Sequence, residues 1–451
     1  MIIKNTSELL SHGNYQSRNL CIELIETALH SVDLFKETKR NIRIRNNFLI
    51  AAGKKYDLSK LDRIFVVGGG KATFAIAKAL DEKLQNRITN GIVSVKKGEK
   101  RRLDHINIIE SGHPVPDKNS LEAASAICNL TSDSTDRDLF ICGITGGASS
   151  LMVAPCDGIS LSDKIMVNEL LLKSGAPINA INSVRNHLSK IKGGNLARLI
   201  HPAKILNLIA IDEIEGLPWG PTVPDRTTFD DSVSVLKKYN LWKKMPNSVR
   251  TYLSIGLKNK KPETPKDRDL KDTEIQNIVL ASNEKMLDAV HARAKKLGLN
   301  AAILSSKIEG ESSEAGKVFG SIAAEVGSRG RPFKPPCVLI AGGETTVKID
   351  NGKGKGGPSQ EFVLGAALEI CNSKKIAVAS IDTDGTDGPT EVAGGICDNL
   401  TVGRIAKLNE DIISTLNRHY SYQLLRKLED TIVTGATETN VMDLDLAVVL
   451  R

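Results

Sequence analysis

The chain has 451 residues, of which 41% are apolar and 25% are charged, and its formal net charge is +8. This length exceeds what one hydrophobic core accommodates, so we expect two or three domains, and the composition is typical of a globular protein. Aromatic residues make up only 4%, which leaves few stacking platforms and argues against a nucleic-acid-binding protein. The positive surplus favours anionic substrates instead.

The cysteines and the N-terminal residues indicate the cellular compartment in which we expect the protein. Seven cysteines are scattered without a Cys-x-x-Cys pair, a usage typical of reduced thiols in a cytosolic protein. Residues 1–6 contain no apolar signal region, and no apolar run approaches the roughly 18 residues of a membrane span. We therefore expect a cytoplasmic protein that does not bind membranes.

Helical spacing of apolar residues between positions 16 and 51 predicts one helix, and a second is expected before residue 51. From residue 63 onward, strand and helix patterns alternate. Strands are predicted at 63–68, 91–95, 106–110, 139–142 and 205–211, and helices at 71–86, 118–130 and 178–192. This alternation predicts an α/β fold with a Rossmann-like, mostly parallel sheet sandwiched by helices.

The first of these strands ends in Gly68, Gly69 and Gly70, and Lys71 follows. Glycines allow a ligand to approach the backbone, a helix N-terminus attracts anions, and a lysine adds a point charge suited to phosphate. Taken alone, the stretch is better explained as an ordinary strand-to-helix turn with a solvated lysine. It matches neither the P-loop nor the Gly-x-Gly-x-x-Gly fingerprint.

A second small-residue turn follows the strand at 139–142 and contains Gly146, Gly147, Ser149 and Ser150. Ligands of open α/β sheets bind beyond the carboxyl ends of the strands, where both glycine turns are expected. The two serines could donate to phosphate oxygens. The second turn therefore favours a functional interpretation of the first.

The predicted helix at 178–192 has a polar face that carries Arg185 and Lys192, and Gly193 and Gly194 follow at once. Such a face is often only solvated. With two cations in register, it could also form a clamp for an anionic substrate.

Two stretches of carboxylates follow predicted strands. Glu213 belongs to an acidic loop after strand 205–211, where it could bind a divalent ion or be solvated. Asp384 and Asp387 belong to an Asp-rich turn after the predicted strand 376–380. Three aspartates within six residues are unusual for a plain turn, so we expect a catalytic or metal-binding role there.

Residues 258–272 are charged, contain prolines and lack apolar periodicity, which predicts a linker. It would separate a domain at 1–257 from a second, smaller α/β domain at 273–451. Strands of the second domain are predicted at 277–281, 301–304, 337–341 and 376–380. The two sheets would face a shared cleft.

Six motifs occur in order along the chain. They are VGGGKA at 67–72, GHPVPD at 112–117, NSVRNHLSKIKGG at 182–194, GPTVPD at 220–225, GGETTV at 342–347 and TDGTDGPT at 383–390. Together they resemble the glycerate 2-kinase family, whose carboxy-terminal half is called the MOFRL domain. The resemblance implies a two-domain enzyme with its active site in the cleft, which uses ATP and Mg²⁺ to phosphorylate the 2-hydroxyl of D-glycerate. In that family the lysine matching Lys71 is catalytically important.

The resemblance also implies roles for individual residues, in a reaction that depends on charge neutralisation and alignment. Lys71 would balance charge on the transferring group, and Arg185 with Lys192 would bind the acceptor carboxylate. Asp384 or Asp387 would orient or deprotonate the hydroxyl, and the other, with Glu344 or Glu213, would hold Mg²⁺. The expected nucleotide-binding residues are Gly68, Gly69, Gly70, Gly146, Gly147, Ser149, Ser150, Lys192, Gly193, Gly194 and Thr222.

The sequence departs from the family pattern at three places, which marks it as a divergent member. The acidic loop at 212–217 lacks the family's second acid, and Pro358 stands where the family has an arginine. Ala436 and Glu438 alter a third motif. Lys353 or Lys355 could replace the missing charge, although not the bidentate geometry of arginine.

Other functions remain open on the sequence alone. The enzyme could phosphorylate a related sugar acid, or it could be a nicotinamide-dependent hydroxypyruvate reductase, although the expected dinucleotide fingerprint is absent. A non-catalytic sugar-acid sensor would usually carry a DNA-binding motif, and the sequence suggests none. We expect small-molecule substrates and no nucleic-acid partner, and a homodimer is left open.

Overall fold

The structure is a computed structural model that describes residues 1–98, 101–210, 219–258, 260, 262–349 and 354–451. These residues form two compact units. The parallel-sheet unit comprises Leu34–Ala210 and residues 219–280, and the mixed-sheet unit comprises Met1–Asp33 and Ala281–Arg451. Glu213, Lys353 and the acidic loop around Glu213 lie outside the described residues.

The strands of the described residues are numbered in chain order. They are β1 Ile42–Arg45, β2 Phe48–Ala51, β3 Lys54–Asp57, β4 Arg63–Gly69, β5 Asn90–Lys96, β6 Asn107–Ser111, β7 Asp138–Ile144, β8 Lys204–Ala210, β9 Ile275–Ala281, β10 Asn300–Ile308, β11 Cys337–Gly343, β12 Ile376–Asp382, β13 Gly394–Asp398, β14 Thr431–Ile432 and β15 Asp443–Val449.

The α-helices follow the same order. They are α1 Thr6–Leu9, α2 Tyr15–Ser31, α3 Leu34–Asn41, α4 Thr73–Leu84, α5 Lys118–Leu130, α6 Ala148–Leu151, α7 Leu161–Leu172, α8 Ile178–His187, α9 Asn195–Ile200, α10 Phe229–Lys238, α11 Asn247–Leu257, α12 Asn283–Lys296, α13 Ser312–Arg329, α14 Pro358–Ile370, α15 Thr401–Lys407, α16 Ile412–Asn417 and α17 Ser421–Lys427.

The parallel-sheet unit is built on a six-stranded sheet of order β6-β5-β4-β7-β8-β9. The pairs β5–β6, β4–β5, β4–β7 and β7–β8 are parallel. Central strands of such a sheet are covered on both faces and therefore read as continuous apolar runs. All seven residues of β7 are buried, and Phe65 stacks on Phe140 with ring centroids 4.6 Å apart. The predicted Rossmann-like architecture is confirmed.

The mixed-sheet unit holds a second six-stranded sheet, of order β10-β11-β15-β12-β13-β14. Among the strands that the structure describes in this sheet, only β10 and β11 pair in parallel. Strand β15 runs antiparallel to both β11 and β12. The start of β15 therefore lies at the same sheet edge as the carboxyl ends of β11 and β12. Helices α13 and α14 pack against this sheet, with the Phe319 and Phe362 rings 5.5 Å apart.

The grouping of the chain differs from the expected boundaries at two places. Met1–Asp33, with α1 and α2, groups with the carboxy-terminal half, and β9 completes the parallel sheet although its residues were expected in the second domain. The physical reason for the first difference is a buried ion network. The fully buried Arg18 contacts Asp398 and Asp430, which lie some 400 positions further along the chain.

Two further features were predicted from composition. All seven cysteines are free, as expected. Within the described part of the chain, no helix combines the length and the apolar character needed to cross a membrane.

Candidate active site

The turn after β4 needs glycines because two turns approach each other closely. A Cβ on Gly68 would lie 2.0 Å from the carbonyl oxygen of Gly143, and a Cβ on Gly70 would lie 2.0 Å from Thr145 Oγ1. Gly70 also adopts a φ of +147°, which side chains disfavour. Close packing between β4 and β7 therefore explains these glycines without a ligand.

The backbone donors of this first turn are already engaged. The N–H of Lys71 donates to Gly146 O at 2.7 Å, the N–H of Gly70 to Ser94 O at 3.1 Å, and the N–H of Ala72 to Thr145 Oγ1 at 3.1 Å. A phosphate at this turn would thus meet the Lys71 side chain, which is partly exposed, rather than free amides. The expectation that the glycine amides bind phosphate stays a prediction without support from these contacts.

The second turn is more open. Gly147 has a left-handed φ of +84°, and the N–H groups of Gly146, Gly147 and Ser149 have no acceptor among the described residues. The side chains of Ser149 and Ser150 are partly exposed. These are the unsatisfied donors that an anion binds at a turn.

Lys71 lies against this second turn. A Cβ on Gly147 would sit 3.0 Å from Lys71 Cγ and 3.0 Å from His113 Nε2. The structure therefore brings Lys71, Gly147 and His113 together at the carboxyl edge of the sheet. No role was expected for His113 beyond its place in the motif at 112–117. Its position just after β6 is the signal that could have found it.

The predicted helix at 178–192 is wrong in length, because α8 ends at His187. The chain then turns so that its backbone pairs with residues 154–156. The N–H of Cys156 donates to Leu188 O at 3.3 Å, and the N–H of Lys190 donates to Ala154 O at 2.8 Å. These tertiary bonds replace the helical ones, although the apolar periodicity continues to Ile191.

Arg185 and Lys192 nevertheless remain close in space, together with a third cation that the sequence interpretation missed. Lys164 of α7 is 2% exposed, and its Nζ donates to Arg185 O at 2.9 Å. Burial, and then the charge of Arg185, lowers the pKa of Lys164 to about 7. Burial followed by the charges of Arg185 and Lys164 lowers the pKa of Lys192 well below its usual value. Three clustered cations suit an anion.

The remaining expected binding residues of this unit have structural roles. A Cβ on Gly193 would lie 2.9 Å from the Asn186 side chain, so this glycine lets the turn pack on α8. Gly194 has a φ of +81° and precedes α9. Thr222 is fully buried, and its hydroxyl donates to Asn207 Oδ1 at 2.8 Å. Thr222 therefore does not present its hydroxyl to a ligand in this structure.

In the mixed-sheet unit, Asp384 lies in the turn after β12 and is partly exposed. Its Oδ1 accepts hydrogen bonds from the N–H and hydroxyl of Thr386 at 2.9 and 2.7 Å. These bonds fix the carboxylate without enclosing it, which suits a group that acts on a substrate.

Asp387 is a different case, because it is 1% exposed and caps α14. It accepts hydrogen bonds from Ser359 N at 3.0 Å, Gln360 N at 2.9 Å and Gln360 Nε2 at 2.7 Å. Burial raises the pKa of Asp387 to about 7 despite these donors. Its oxygens are occupied by the protein, so the geometry favours Asp384 over Asp387 as the group that meets substrate.

Carboxylates that the sequence interpretation missed lie at the same sheet edge. Asp443, at the start of β15, is directly opposite Asp382 at the end of β12. Burial and the neighbouring charges of Asp382 and Asp445 raise the pKa of Asp443 well above its usual value. Glu344 also contributes to this rise and is exposed after β11. The residues of β15 do not indicate which strands it pairs with. The sequence could therefore not reveal that Asp443 lies opposite Asp382.

The carboxylates at this sheet edge are the described residues that could serve the expected Mg²⁺ site. Among the described residues, no three His, Cys, Asp or Glu side chains converge in the arrangement of a metal site. Glu344 is near Asp443, whereas Glu213 lies outside the described residues. The donor set around Asp443 consists of oxygens, as a magnesium ion requires.

Lys355 does not replace the arginine that the motif at Pro358 lacks. Its Nζ pairs with Glu391 at 3.1 Å and lies 4.7 Å from the centre of the Tyr422 ring. The ammonium is therefore committed to holding this loop. Lys353, the other candidate, lies outside the described residues.

Comparison with known proteins gives two family matches that together span most of the chain. Residues 20–254 match the model described as a domain of unknown function (DUF4147), and residues 337–443 match the MOFRL family. The second match contains Asp384 and Asp443.

Full-length relatives agree with these matches. The chain is 38% identical to a glycerate 2-kinase of Pyrococcus horikoshii, over 96% of this chain and 97% of the relative. It is 35% identical to a D-glycerate 2-kinase of Thermotoga maritima, over 96% and 98%. A putative hydroxypyruvate reductase of Agrobacterium vitis is 38% identical over 85% and 98%. The crystal structure of a Thermotoga maritima glycerate kinase matches with a TM-score of 0.83 and 34% identity, covering 96% of this chain and 99% of that one.

Proposed function

The chain belongs to the glycerate 2-kinase family, and we propose that it transfers the γ-phosphoryl group of ATP to the 2-hydroxyl of D-glycerate, giving 2-phosphoglycerate and ADP. The observation that carries this proposal is the match to two glycerate 2-kinases over nearly the whole length of both partners. A match over 96% of this chain extends into both units.

The parallel-sheet unit supplies the groups that neutralise charge. Lys71 balances the charge that develops on the transferring phosphoryl group, and the open amides of Gly146 and Gly147 donate to phosphate oxygens. His113 lies at the same turn, since a Cβ on Gly147 would be 3.0 Å from its Nε2 as well as from Lys71 Cγ. Arg185 and Lys192 bind the carboxylate of the acceptor, since guanidinium and ammonium groups recognise carboxylates by charge-assisted hydrogen bonds.

The mixed-sheet unit supplies the group that acts on the acceptor hydroxyl. Asp384 accepts a hydrogen bond from the 2-hydroxyl and takes its proton as the oxygen attacks the γ-phosphorus. The bond between that phosphorus and the β,γ-bridging oxygen breaks, and ADP leaves with the electron pair. Asp387 holds the start of α14 and through it the turn that carries Asp384.

Magnesium is the metal that this reaction implies. Asp382 and Asp443, which face each other across β12 and β15, would hold it, with Glu344 at the rim. Two carboxylates suffice, because Mg²⁺ usually keeps several waters and completes its shell with substrate phosphates. When bound, the ion neutralises charge on the β- and γ-phosphates.

The decisive experiment measures ADP release from ATP with D-glycerate and with larger sugar acids, and it reads the position of the new phosphate ester by phosphorus NMR. We expect turnover with D-glycerate and an ester at carbon 2. An ester at carbon 3 would refute the proposed position, turnover only with another sugar acid would replace the acceptor, and ADP at background for every acid would refute the kinase.

A hydroxypyruvate reductase is the alternative that a relative's name suggests. Such an enzyme binds a nicotinamide dinucleotide, whereas the turn after β4 is tied to the neighbouring turn by its own amides. NADH oxidation with hydroxypyruvate measures this activity directly, and we expect none above the buffer rate. The cytoplasmic location and the homodimer both stay predictions.

A further inference from the structure

Lys164 is 2% exposed, and among the described residues no carboxylate is found among the charges that shift its pKa. Burying an ammonium is costly unless hydrogen bonds and nearby anions compensate for lost hydration. Its Nζ donates instead to the carbonyl oxygen of Arg185. The energetic cost implies that this position serves a purpose other than packing.

The contact with Arg185 lies in the last turn of α8, which ends at His187. Carbonyl groups of a last turn lack intrahelical donors and carry the negative end of the helix dipole. The Nζ of Lys164 supplies such a donor at 2.9 Å. It therefore fixes the backbone from which the Arg185 side chain extends.

The turn that follows is held just as firmly. Ser189 Oγ accepts hydrogen bonds from the N–H groups of Ile191 and Lys192, each at 3.3 Å, and Asn195 Nδ2 donates to Ser189 O at 2.9 Å. The backbone of residues 188–190 is bound to residues 154–156. Lys192 is thus brought back toward Arg185 and Lys164 by a built turn, not by helical register.

We propose that Lys164 is a positioning residue for the acceptor: it holds the end of α8 so that Arg185 and Lys192 converge on one anionic group, the carboxylate of the substrate. This inference rests on the proposed function. A cluster of three cations is repulsive when empty, and a carboxylate bound between Arg185 and Lys192 relieves that repulsion. Lys164 acts through these two residues and does not itself touch the acceptor.

The first test compares Lys164→Met with Lys190→Met. Lys190 is a neighbouring lysine whose exposed side chain pairs with Asp157, so it serves as the matched control. For Lys164→Met we expect the KM for D-glycerate to rise by about tenfold or more, while the KM for ATP and kcat stay within about threefold. Lys190→Met should leave all three values near those of the wild type.

A second measurement does not depend on turnover. Trace acylation with acetic anhydride, followed by mass spectrometry, gives the pH at which the Lys192 amine becomes reactive. Lys192 faces the charges of Arg185 and Lys164, and Lys164 in turn faces Arg185 and Cys156. Removing Lys164 should raise the pH of half-maximal labelling of Lys192 by about one unit, with no change in Lys190→Met.

The outcomes separate the two proposals. If wild-type protein releases no ADP with D-glycerate, the proposed function fails, and the labelling of Lys192 still decides whether Lys164 positions the cluster. If wild-type protein is active but Lys164→Met keeps its KM for D-glycerate and its Lys192 labelling, the positioning role is refuted. An equal loss of affinity for ATP and D-glycerate in a folded Lys164→Met variant would likewise refute it, because it would mean a general structural defect.

Discussion

The amide nitrogen of Lys71 donates to the carbonyl oxygen of Gly146 at 2.7 Å, which joins the two glycine turns at the carboxyl edge of the parallel sheet. This bond fixes where the Lys71 side chain begins, and the side chain then runs past Gly147. The glycines of the first turn therefore help to position Lys71. Because they lack side chains, the second turn can approach closely enough to bind the Lys71 backbone.

Replacing Lys71 with Met should lower turnover by about 10³-fold or more, because a charge aimed at the transferring phosphoryl group is lost. The fold should be unchanged, since the backbone bond to Gly146 does not involve the side chain. Lys78→Met is the control, as Lys78 lies on α4 and points over the Phe35 ring. Steady-state ADP release measures both variants, and near-normal turnover of Lys71→Met would remove the lysine from the mechanism.

Gly70→Ala tests the close approach of the two turns. A Cβ there would overlap Thr145 Oγ1 and meet an unfavourable φ, so we expect a loss of about 2–4 kcal/mol in the free energy of unfolding. Gly158→Ala is the control, because Gly158 has a φ of +83° and open space around it. That substitution should cost only about 1 kcal/mol. Urea denaturation followed by circular dichroism compares them, and equal losses would contradict the steric argument.

Replacement by Asn should mainly lower turnover at Asp384 and mainly lower stability at Asp387. Asp384→Asn should lower turnover by about 10²–10⁴-fold with little change in stability, because it removes a proton acceptor at a partly exposed site. Asp387→Asn places an amide against the N–H donors at the start of α14 and should cost about 1–2 kcal/mol of stability. Turnover and thermal denaturation are measured on both. If Asp387→Asn is stable and inactive, the two roles are reversed.

The sequence predicted the parallel sheet well because its central strands are continuous apolar runs bounded by glycine turns, as in β4 and β7. It did not predict β15. Asp443 and Asp445 alternate with leucines near the carboxyl terminus, and nothing local indicates that this strand lies between β11 and β12. The Asp443–Asp382 pair depends on that insertion, so only the three-dimensional structure could reveal it.

Two other features were not predicted because they also depend on tertiary contacts. The apolar spacing of α8 continues to Ile191, but bonds from residues 188–190 to residues 154–156 end the helix at His187. The sequence around Lys164 does not distinguish it from other lysines, and only its contact with Arg185 O does so. Local patterns therefore located the turns to which we assign function, whereas the contacts that hold them come from distant parts of the chain.

Lys164 should make stability depend on pH above neutrality. Burial lowers its pKa to about 7, whereas a lysine in an unfolded chain titrates near 10.4. Between these values the unfolded state binds more protons than the folded state, so the free energy of unfolding rises with pH, by at most about 1.4 kcal/mol per unit. Lys164→Met should lose this rise from pH 7 to 10, whereas Lys190→Met should keep it. Urea denaturation across this range measures the slope, and the same slope in both variants would contradict the assignment.

The Arg18–Asp430 contact explains why the first 33 residues belong to the mixed-sheet unit. Arg18 Nη1 lies 2.7 Å from Asp430 Oδ1, and neither side chain is exposed. Burial alone would raise the pKa of Asp430, but hydrogen bonds from His12 and Arg18 and the charges of Arg18 and Arg404 lower it. The carboxylate is therefore charged and depends on the N-terminal segment for compensation.

Arg18→Met should cost about 3–5 kcal/mol of stability, because it leaves Asp398 and Asp430 buried without their main partner. The control Lys317→Met removes an exposed pair with Glu314 in the same unit and should cost less than about 1 kcal/mol. Adding Asp430→Asn to Arg18→Met should restore part of the loss, since it removes one uncompensated charge. Thermal and urea denaturation measure all three variants. Additive losses in the double variant would mean that the two side chains contribute independently, and would contradict the assignment of the Arg18–Asp430 contact as a coupled pair.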